Sequence, residues 1–270
     1  MKRSPAYHWP DWLVNSLIDK KISLRYLKKF KKAQECLWQA LNIYDDFLDG
    51  EGQPDKLPEA NRYYRKFLET IYLENMTPSF KKTCNKILDD LDSTNKQELQ
   101  KNIIIWKDGI PKLPKNCPDF SRLKDLSKKS LALALAPIAA LLTFKKLDEE
   151  RLVNYFRYAL AAKQLSDDAK DWLDDLQSGK LTAVNLLVIQ EGIRRKINKN
   201  LYYKTEILHL LFAYGAAIPT CNAILKLCQQ ARNEAQKLKI DDKAPIIKNL
   251  LLPLEKAANK ALRFKQLLSE

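Results

Sequence analysis

The segment Lys163–Lys180, "KQLSDDAKDWLDDLQSGK", decides the fold because it combines a densely acidic helix face with an apolar one. On a helical wheel centred on Asp171, the neighbouring acids and one glutamine fall within about 60° of it. These side chains are Gln164, Asp167, Asp168, Asp174 and Asp175. Leu165, Ala169 and Leu173 lie on the opposite face, and Leu160 and Phe156 lie one turn earlier on the acidic face. The pattern predicts a helix whose apolar stripe ends in carboxylates.

A surface helix with internal salt bridges would explain part of this segment. Lys163 precedes Asp167 by four residues, and Lys170 precedes Asp174 by four, which is the spacing of favourable helical ion pairs. Asp171 and Asp175 have no lysine at that spacing within the helix. These two carboxylates therefore indicate a further role.

The segment Asn42–Gly52, "NIYDDFLDGEG", shows the same design. Asp45 and Asp49 are four residues apart and stack on one helix face, while Asp46 lies about 100° around the helix. Trp38 and Leu41 precede Asp45 on the same stripe. Carboxylates at the C-terminal end of a helix oppose the helix dipole at a cost of about 0.3–1 kcal/mol each. An exposed acidic helix end is the alternative interpretation of this segment taken alone.

Two such helices facing each other would enclose an apolar pocket with acids on both walls of its mouth. Carboxylate ligands that leave other positions open suit Mg²⁺, which binds through a few carboxylates together with substrate phosphates. The two segments together therefore predict a magnesium–phosphate site.

The rest of the sequence predicts an all-α protein. The chain has 270 residues, of which 46% are hydrophobic, with only six Gly and twelve Pro, and it shows no clean alternation of apolar and polar residues. We expect a single domain over residues 1–270, built as a bundle of about ten helices around a central apolar pocket. The predicted helices are Ser23–Leu48, Glu59–Glu74, Lys81–Leu91, Lys96–Trp106, Ser121–Phe144, Glu149–Gln177, Thr182–Ile197, Tyr202–Leu211, Pro219–Lys237 and Ile246–Leu268, with a loop at Lys107–Phe120.

Charge and cysteine content define the expected environment. The net charge of +14 favours partners that carry negative charge, such as polyanions, anionic membranes or phosphorylated substrates. Five cysteines without metal-binding spacing predict reduced thiols in a cytoplasmic protein. The most apolar run, Leu131–Phe144, is too short to cross a bilayer. We expect no transmembrane segment, and peripheral membrane contact stays open.

The two acidic segments resemble those of the class I isoprenoid synthases. "DDFLD" (Asp45–Asp49) is similar to their first aspartate-rich motif, and "QLSDDAKD" (Gln164–Asp171) resembles the second motif of the trans-prenyltransferases. The spacing of Asp171 and Asp175 also resembles the squalene and phytoene synthases, and Asp167, Asp171 and Asp175 resemble the terpene-cyclase pattern. Upstream, "KKSLALALAP" (Lys128–Pro137) is similar to a prenyltransferase segment in which a lysine contacts diphosphate.

The sequence departs from the chain-elongating members of this family in two places. The arginine pair that follows their first motif is replaced by "GEGQPDKLP", with no arginine before Arg62. Their Gly-Lys-x-x-Arg element has no counterpart before Asp45. In the family, these basic groups hold isopentenyl diphosphate.

The resemblance implies a cluster of Mg²⁺, commonly three ions, that holds a prenyl diphosphate while its allylic C–O bond ionises. It implies metal ligands at Asp45, Asp46, Asp49, Asp167, Asp171 and Asp175, with Asp168 as a further catalytic acid. It implies substrate contacts from Gln164, Lys129 and Arg122, and aromatic stabilisation of the carbocation by Trp38 and Phe156.

The sequence is therefore compatible with four functions. The missing arginines favour a terpene synthase that cyclises or rearranges one prenyl diphosphate. A trans-prenyltransferase, acting by chain elongation or by head-to-head condensation, is the alternative. A non-catalytic basic protein that binds nucleic acid or membranes ranks lower, because the cations are spread along the whole chain without a recognition motif. The resemblance also makes a homodimer a reasonable expectation.

Overall fold

The computed structural model describes residues 5–18, 24–73, 76–107, 110–114, 120, 122–197, 202 and 204–267. Within them, the α-helices are α1 Trp9–Asn15, α2 Leu24–Leu48, α3 Leu57–Leu73, α4 Pro78–Lys101, α5 Leu135–Leu142, α6 Glu149–Lys170, α7 Trp172–Gln177, α8 Ala183–Arg194, α9 Thr205–Leu211, α10 Ala217–Lys237 and α11 Leu252–Leu267. Short 3₁₀ helices lie at Pro5–His8, Pro54–Lys56, Leu123–Lys129 and Leu131–Ala134, and π-helical segments lie at Phe212–Ala216 and Ile247–Leu251. The predicted all-α fold is confirmed.

The chain forms two compact units, each made of several segments. The first unit comprises residues 1–92, 128–156 and 231–250, and the second comprises residues 93–127, 157–230 and 251–270. The prediction of a single domain with one central pocket is not tested by this division and stays a prediction.

The core of the first unit forms where α2 packs against α3 and α5, and where α1 packs against α5. Phe30 and Leu37 of α2, Phe67 of α3 and Ile138 of α5 are fully buried. Burying a side chain of this size contributes about 1.5–3 kcal/mol relative to leaving it exposed. This packing fixes the axis of α2 and therefore the position of the acidic segment at its end.

The prediction of one helix over Ser121–Phe144 is wrong, and Pro137 supplies the reason. An interior proline removes a helical hydrogen bond, and its ring collides with the carbonyl four residues earlier. The α-helix α5 begins at Leu135, which leaves Pro137 in its first turn, and residues 123–129 and 131–134 form 3₁₀ helices instead. Ser121 itself lies outside the described residues.

Two predicted breaks do not occur. Residues 78–101 form the single helix α4, although helices over Lys81–Leu91 and Lys96–Trp106 were expected. Residues 205–237 are continuous, because the π-helical segment Phe212–Ala216 joins α9 to α10 ahead of Pro219. The segment Ile247–Leu251 precedes Pro253 in the same way, and both wider turns accommodate a proline ring.

A small antiparallel ribbon replaces the end of the predicted helix Lys96–Trp106 and part of the predicted loop. Strand β1 (Ile105–Lys107) pairs with β2 (Ile110–Lys112), with Trp106 opposite Pro111. A ribbon of three residues per strand is too short for the alternation of apolar and polar residues to be visible in the sequence.

Candidate functional site

The first acidic segment lies at the C-terminal end of α2, in the first unit. The helix ends in a Schellman motif, in which the Glu51 amide donates to the Asp46 carbonyl at 2.8 Å and the Gly50 amide donates to the Phe47 carbonyl at 3.3 Å. Gly50 has a φ of 80°, which L-residues rarely adopt. The glycine therefore stops the helix directly after Asp49. Asp46 and Asp49 are exposed, whereas Asp45 is half-buried.

Asp45 is paired with a lysine from another part of the sequence. Lys129 Nζ lies 2.9 Å from Asp45 Oδ1. This oxygen is buried and makes no well-aligned hydrogen bond, so the ammonium group neutralises it through charge rather than through an ideal hydrogen bond. The structure thus brings together two predicted site residues, Asp45 and Lys129, although they are distant in sequence.

The stripe below Asp45 contains a residue that sequence reasoning missed. Trp38 and Leu41 are half-buried on this face of α2. Gln34, four residues before Trp38, is fully buried, and neither Nε2 nor Oε1 has a hydrogen-bond partner among the described residues. The sequence does contain a signal for Gln34, because it is a polar residue on the otherwise apolar stripe of α2 that leads to the acids.

The second acidic segment lies at the end of α6 and in α7, in the second unit. The helix is interrupted at Asp171, whose φ and ψ are −99° and 8°, so the predicted continuous helix Glu149–Gln177 is wrong. The interruption accompanies burial of Trp172, whose ring stacks on Phe212 at 4.7 Å and meets His209 edge-on at 5.3 Å. Asp171 is exposed at this break, and Asp175 follows one turn later.

Asp168 is the most buried carboxylate of the segment. Its side chain accepts a hydrogen bond from Gln164 Nε2 at 2.8 Å. Burial is the main cause that raises the pKa of Asp168 to about 7, and the negative charges of Asp175 and Glu98 raise it further. The Gln164 hydrogen bond and Lys180 act in the opposite direction. Gln164 and Asp168, both predicted site residues, therefore form one hydrogen-bonded pair.

Lysines lie beside two other carboxylates of the segment, Asp167 and Asp175. Lys163 contacts Asp167 at 2.5 Å, as expected from its spacing. Lys170 contacts Asp167 at 3.1 Å, whereas the sequence predicted Asp174 as its partner. Lys180 Nζ lies 3.9 Å from Asp175, so the expectation that Asp175 lacks a lysine holds only within the helix.

The ribbon secures the end of α7. Trp106 Nε1 donates to the Leu176 carbonyl at 3.3 Å, and the Ile104 amide donates to the Gly179 carbonyl at 2.6 Å. Gly179 has a φ of 81° and closes a second Schellman motif, in which the Lys180 amide donates to the Asp175 carbonyl at 2.7 Å. Both acidic segments thus end in the same backbone motif.

The remaining predicted residues are placed less distinctively. Phe156 is fully buried in the first unit, with its ring 5.9 Å from that of Trp9 and 5.1 Å from that of Tyr155. Arg122 is exposed in the second unit. Their assignment to a substrate pocket stays a prediction.

The donor set fits Mg²⁺ in its chemistry. The predicted ligands are carboxylate oxygens, and the buried Asp45 Oδ1 lacks an aligned hydrogen bond. Among the described residues, no three His, Cys, Asp or Glu side chains are grouped closely enough to hold one ion. Ammonium groups hold the positions beside Asp45, Asp167 and Asp175.

Comparison with solved structures gives an informative match. No family model and no curated protein matches the chain. A geranylgeranyl pyrophosphate synthetase from the archaeon Geoglobus acetivorans is similar in structure, with a TM-score of 0.63 at 16% sequence identity. The match covers 95% of this chain and 84% of that one. The protein therefore has an all-α, isoprenoid synthase-like fold.

Proposed function

We propose that the protein is a Mg²⁺-dependent enzyme that acts on prenyl diphosphates and transfers a prenyl chain to a second substrate. The observation that carries this proposal is the presence of two aspartate segments at helix ends in a chain that shares its fold with a protein named for prenyl diphosphate synthesis. The fold comparison favours the transferase over the terpene synthase that the missing arginines suggested.

The charged groups of the first acidic segment are suited to binding a diphosphate. Asp45, Asp46 and Asp49 would hold bound Mg²⁺, which would neutralise the departing diphosphate. The Lys129 ammonium, 2.9 Å from Asp45, provides a cation beside this position without a metal. A charge fixed before the reaction stabilises the leaving group without reorganisation.

The apolar stripe supplies the place for the prenyl chain. Trp38 and Leu41 line the face of α2 that leads toward Asp45. An apolar wall keeps water away from a carbocation, and the face of the Trp38 ring can stabilise positive charge. In the proposal, these residues exclude water from the carbocation and orient the prenyl chain.

The possible acceptors of the prenyl chain differ in the binding sites that they require. Head-to-head condensation uses two identical prenyl diphosphates and needs no isopentenyl diphosphate site, which agrees with the missing arginines and with the Asp171–Asp175 spacing. Chain elongation would require cations that the family pattern does not locate in this sequence. Cyclisation of a single substrate is the second candidate function, favoured by the same missing arginines.

The test incubates the full chain and Mg²⁺ with geranyl, farnesyl and geranylgeranyl diphosphates, each with and without isopentenyl diphosphate. Transfer gives products longer than the substrate, and cyclisation gives hydrocarbons or alcohols of unchanged carbon number. Products lengthened only with isopentenyl diphosphate identify elongation. Folded protein that releases no diphosphate under any of these conditions would refute the proposal.

Variants locate the chemistry. Asp45→Asn and Asp171→Asn are expected to lower product formation by at least about a hundredfold, the scale for removing one group that stabilises developing charge. Asp174→Asn is the matched control, because Asp174 is an exposed acid of the same segment that the structure does not pair with Lys170. Equal loss in the control would contradict the assignment of roles.

A further inference from the structure

Of the large apolar side chains exposed on the second unit, four lie on α8, α9, the π-helical segment and α10, and we call them the apolar patch. Ile193 at the end of α8 is 60% exposed, Leu210 of α9 is 50% exposed, Tyr214 of the π-helical segment is 59% exposed, and Ile218 of α10 is 38% exposed. Large apolar groups that remain in water together commonly mark an interaction surface.

The elements that carry these four side chains pack on one another. α8 packs against α9 and against Phe212–Ala216. The Arg195 guanidinium lies 5.0 Å from the centre of the Tyr214 ring, which joins the end of α8 to the middle of the patch. Gly215 permits this closeness, because a Cβ there would lie 2.4 Å from Glu191 Cβ.

The π-helical segment aligns the patch. In an α-helix, residues four apart rotate by about 40° per step, so Leu210, Tyr214 and Ile218 would drift around the axis. A π turn takes up more residues than an α turn and reduces this drift. The opposite face of the continuous helix formed by α9, the π-helical segment and α10 packs in the core, where four of its side chains are buried: Leu208, Leu211, Ile224 and Leu227.

The continuous helix Thr205–Lys237 is long and apolar enough to cross a bilayer, by length and composition alone. A helix with one face buried in its own folded unit is better suited to lie on a membrane than to span it. The proposal below is therefore one of surface contact.

A cationic rim adjoins the patch. Arg194, Arg195 and Lys196 follow Ile193 directly, and Lys204 precedes α9; all four are exposed. Glu191 accepts hydrogen bonds from Arg194 at 2.7 Å and from Arg195 at 2.5 Å, which fixes both guanidinium groups at the helix end.

The two stretches of chain that carry these cations contain fewer acids than cations. Glu191, whose side chain is only 8% exposed, and Glu206 are the carboxylates on the same stretches of chain, so four cations face two anions. The rim is therefore positive.

We propose that the apolar patch and its cationic rim form a docking surface for an anionic lipid bilayer. Isoleucine and leucine side chains would enter the acyl boundary, and tyrosine, with its apolar ring and polar hydroxyl, would lie at the level of the headgroups. The arginines and lysines would contact the anionic headgroups. A second copy of this chain fits less well, because a self-complementary contact would bring two sets of Arg194, Arg195 and Lys196 together.

Vesicle co-sedimentation tests the proposal with the full chain. One set of vesicles is phosphatidylcholine, and the other is phosphatidylcholine mixed with phosphatidylserine. We expect binding to the anionic vesicles that weakens with added salt. Leu210→Gln with Ile218→Gln should lower binding by at least about tenfold, from lost apolar burial. Lys196→Gln with Lys204→Gln should lower it by about fivefold per charge on anionic vesicles only.

The control pair is Leu99→Gln with Lys96→Gln, which removes an exposed leucine and an exposed lysine from α4. Circular dichroism verifies that every variant is folded, and size-exclusion chromatography reports the oligomeric state without lipid. Retained binding in the control, with loss in both patch variants, supports the proposal. No binding of the wild type, equal loss in the control, or a patch variant that instead dissociates a dimer would overturn it.

Discussion

Gln34→Leu is expected to stabilise the protein, which is unusual for a substitution of a fully buried residue. The Gln34 side chain is 0% exposed, and neither of its amide atoms has a hydrogen-bond partner among the described residues. Leaving a polar group buried without a partner costs about 1–3 kcal/mol. Leucine has a similar volume and no polar atom. We therefore expect the free energy of unfolding to rise by about 1–3 kcal/mol.

Thermal unfolding followed by circular dichroism measures this change. An unfolding entropy of about 2.1 cal/mol/K per residue implies that each kcal/mol raises the Tm of a chain of this length by about 2 °C. The expected rise is about 2–5 °C, and it is larger if the first compact unit unfolds separately, because fewer residues then share the entropy. Gln39→Leu is the matched control in the same helix, because Gln39 Nε2 donates to Glu35 at 3.3 Å and its loss should not stabilise.

The same variant connects stability with function. Gln34 continues the stripe of Trp38 and Asp45, so we expect its amide to serve the bound substrate and Gln34→Leu to lower product formation while it raises Tm. A lower Tm for Gln34→Leu would show that the amide is well satisfied in the folded protein. The energetic argument would then fail, whatever the activity.

Three further predictions concern helix ends and pH. Gly179→Ala should lower the free energy of unfolding, measured by urea titration, by about 1–2 kcal/mol or more, because φ is 81° and a Cβ would lie 3.1 Å from the Ile104 carbonyl oxygen. Gly50→Ala, where φ is 80° and no atom lies near the added Cβ, should lower the free energy of unfolding by less. A larger loss for Gly50→Ala than for Gly179→Ala would contradict the argument. Lys239→Gly should raise the Tm, because Lys239 has a φ of 63° at a helix end, whereas Lys237→Gly in the last helical turn should lower it. Hydrogen bonds from Arg194 and Arg195 lower the pKa of Glu191 from 4.5 to about 2, so the stabilisation by Glu191 is complete above pH 4.5 and is lost as the pH falls toward 2. The difference in the free energy of unfolding between the wild type and Glu191→Gln should therefore shrink between pH 4.5 and about 2. A difference that stays constant over this range would refute the assignment.

The sequence predicted the fold class because helical periodicity is a local signal that extends over many turns. The acidic faces of α2 and α6 and the glycine after each segment were all visible in the spacing of residues. Helix α2 is present from Leu24, the first described residue after Ser23, and its predicted start at Ser23 lies outside the described residues.

The parts that the sequence could not predict depend on tertiary contacts. The π-helical segment at Phe212–Ala216 includes Gly215, which packs against Glu191 in a tertiary contact that no local pattern reveals. The interruption at Asp171 accompanies the burial of Trp172 against Phe212, forty residues later in sequence. The pairing of Lys129 with Asp45 joins residues too distant for any helical spacing rule.

The lysines beside the acidic segments explain how carboxylates are tolerated where the helix dipole disfavours them. Helix α2 supplies no cation of its own near Asp45, and Lys129 comes from a different part of the first unit. Lys180 reaches Asp175 from beyond the glycine that ends α7. An ammonium group is a single mobile charge on a flexible stem, and a divalent ion offers twice that charge to several oxygens at once. Under the proposed function, Mg²⁺ would take the place of these ammonium groups beside the carboxylates, and the displaced lysines would pair with the phosphate oxygens.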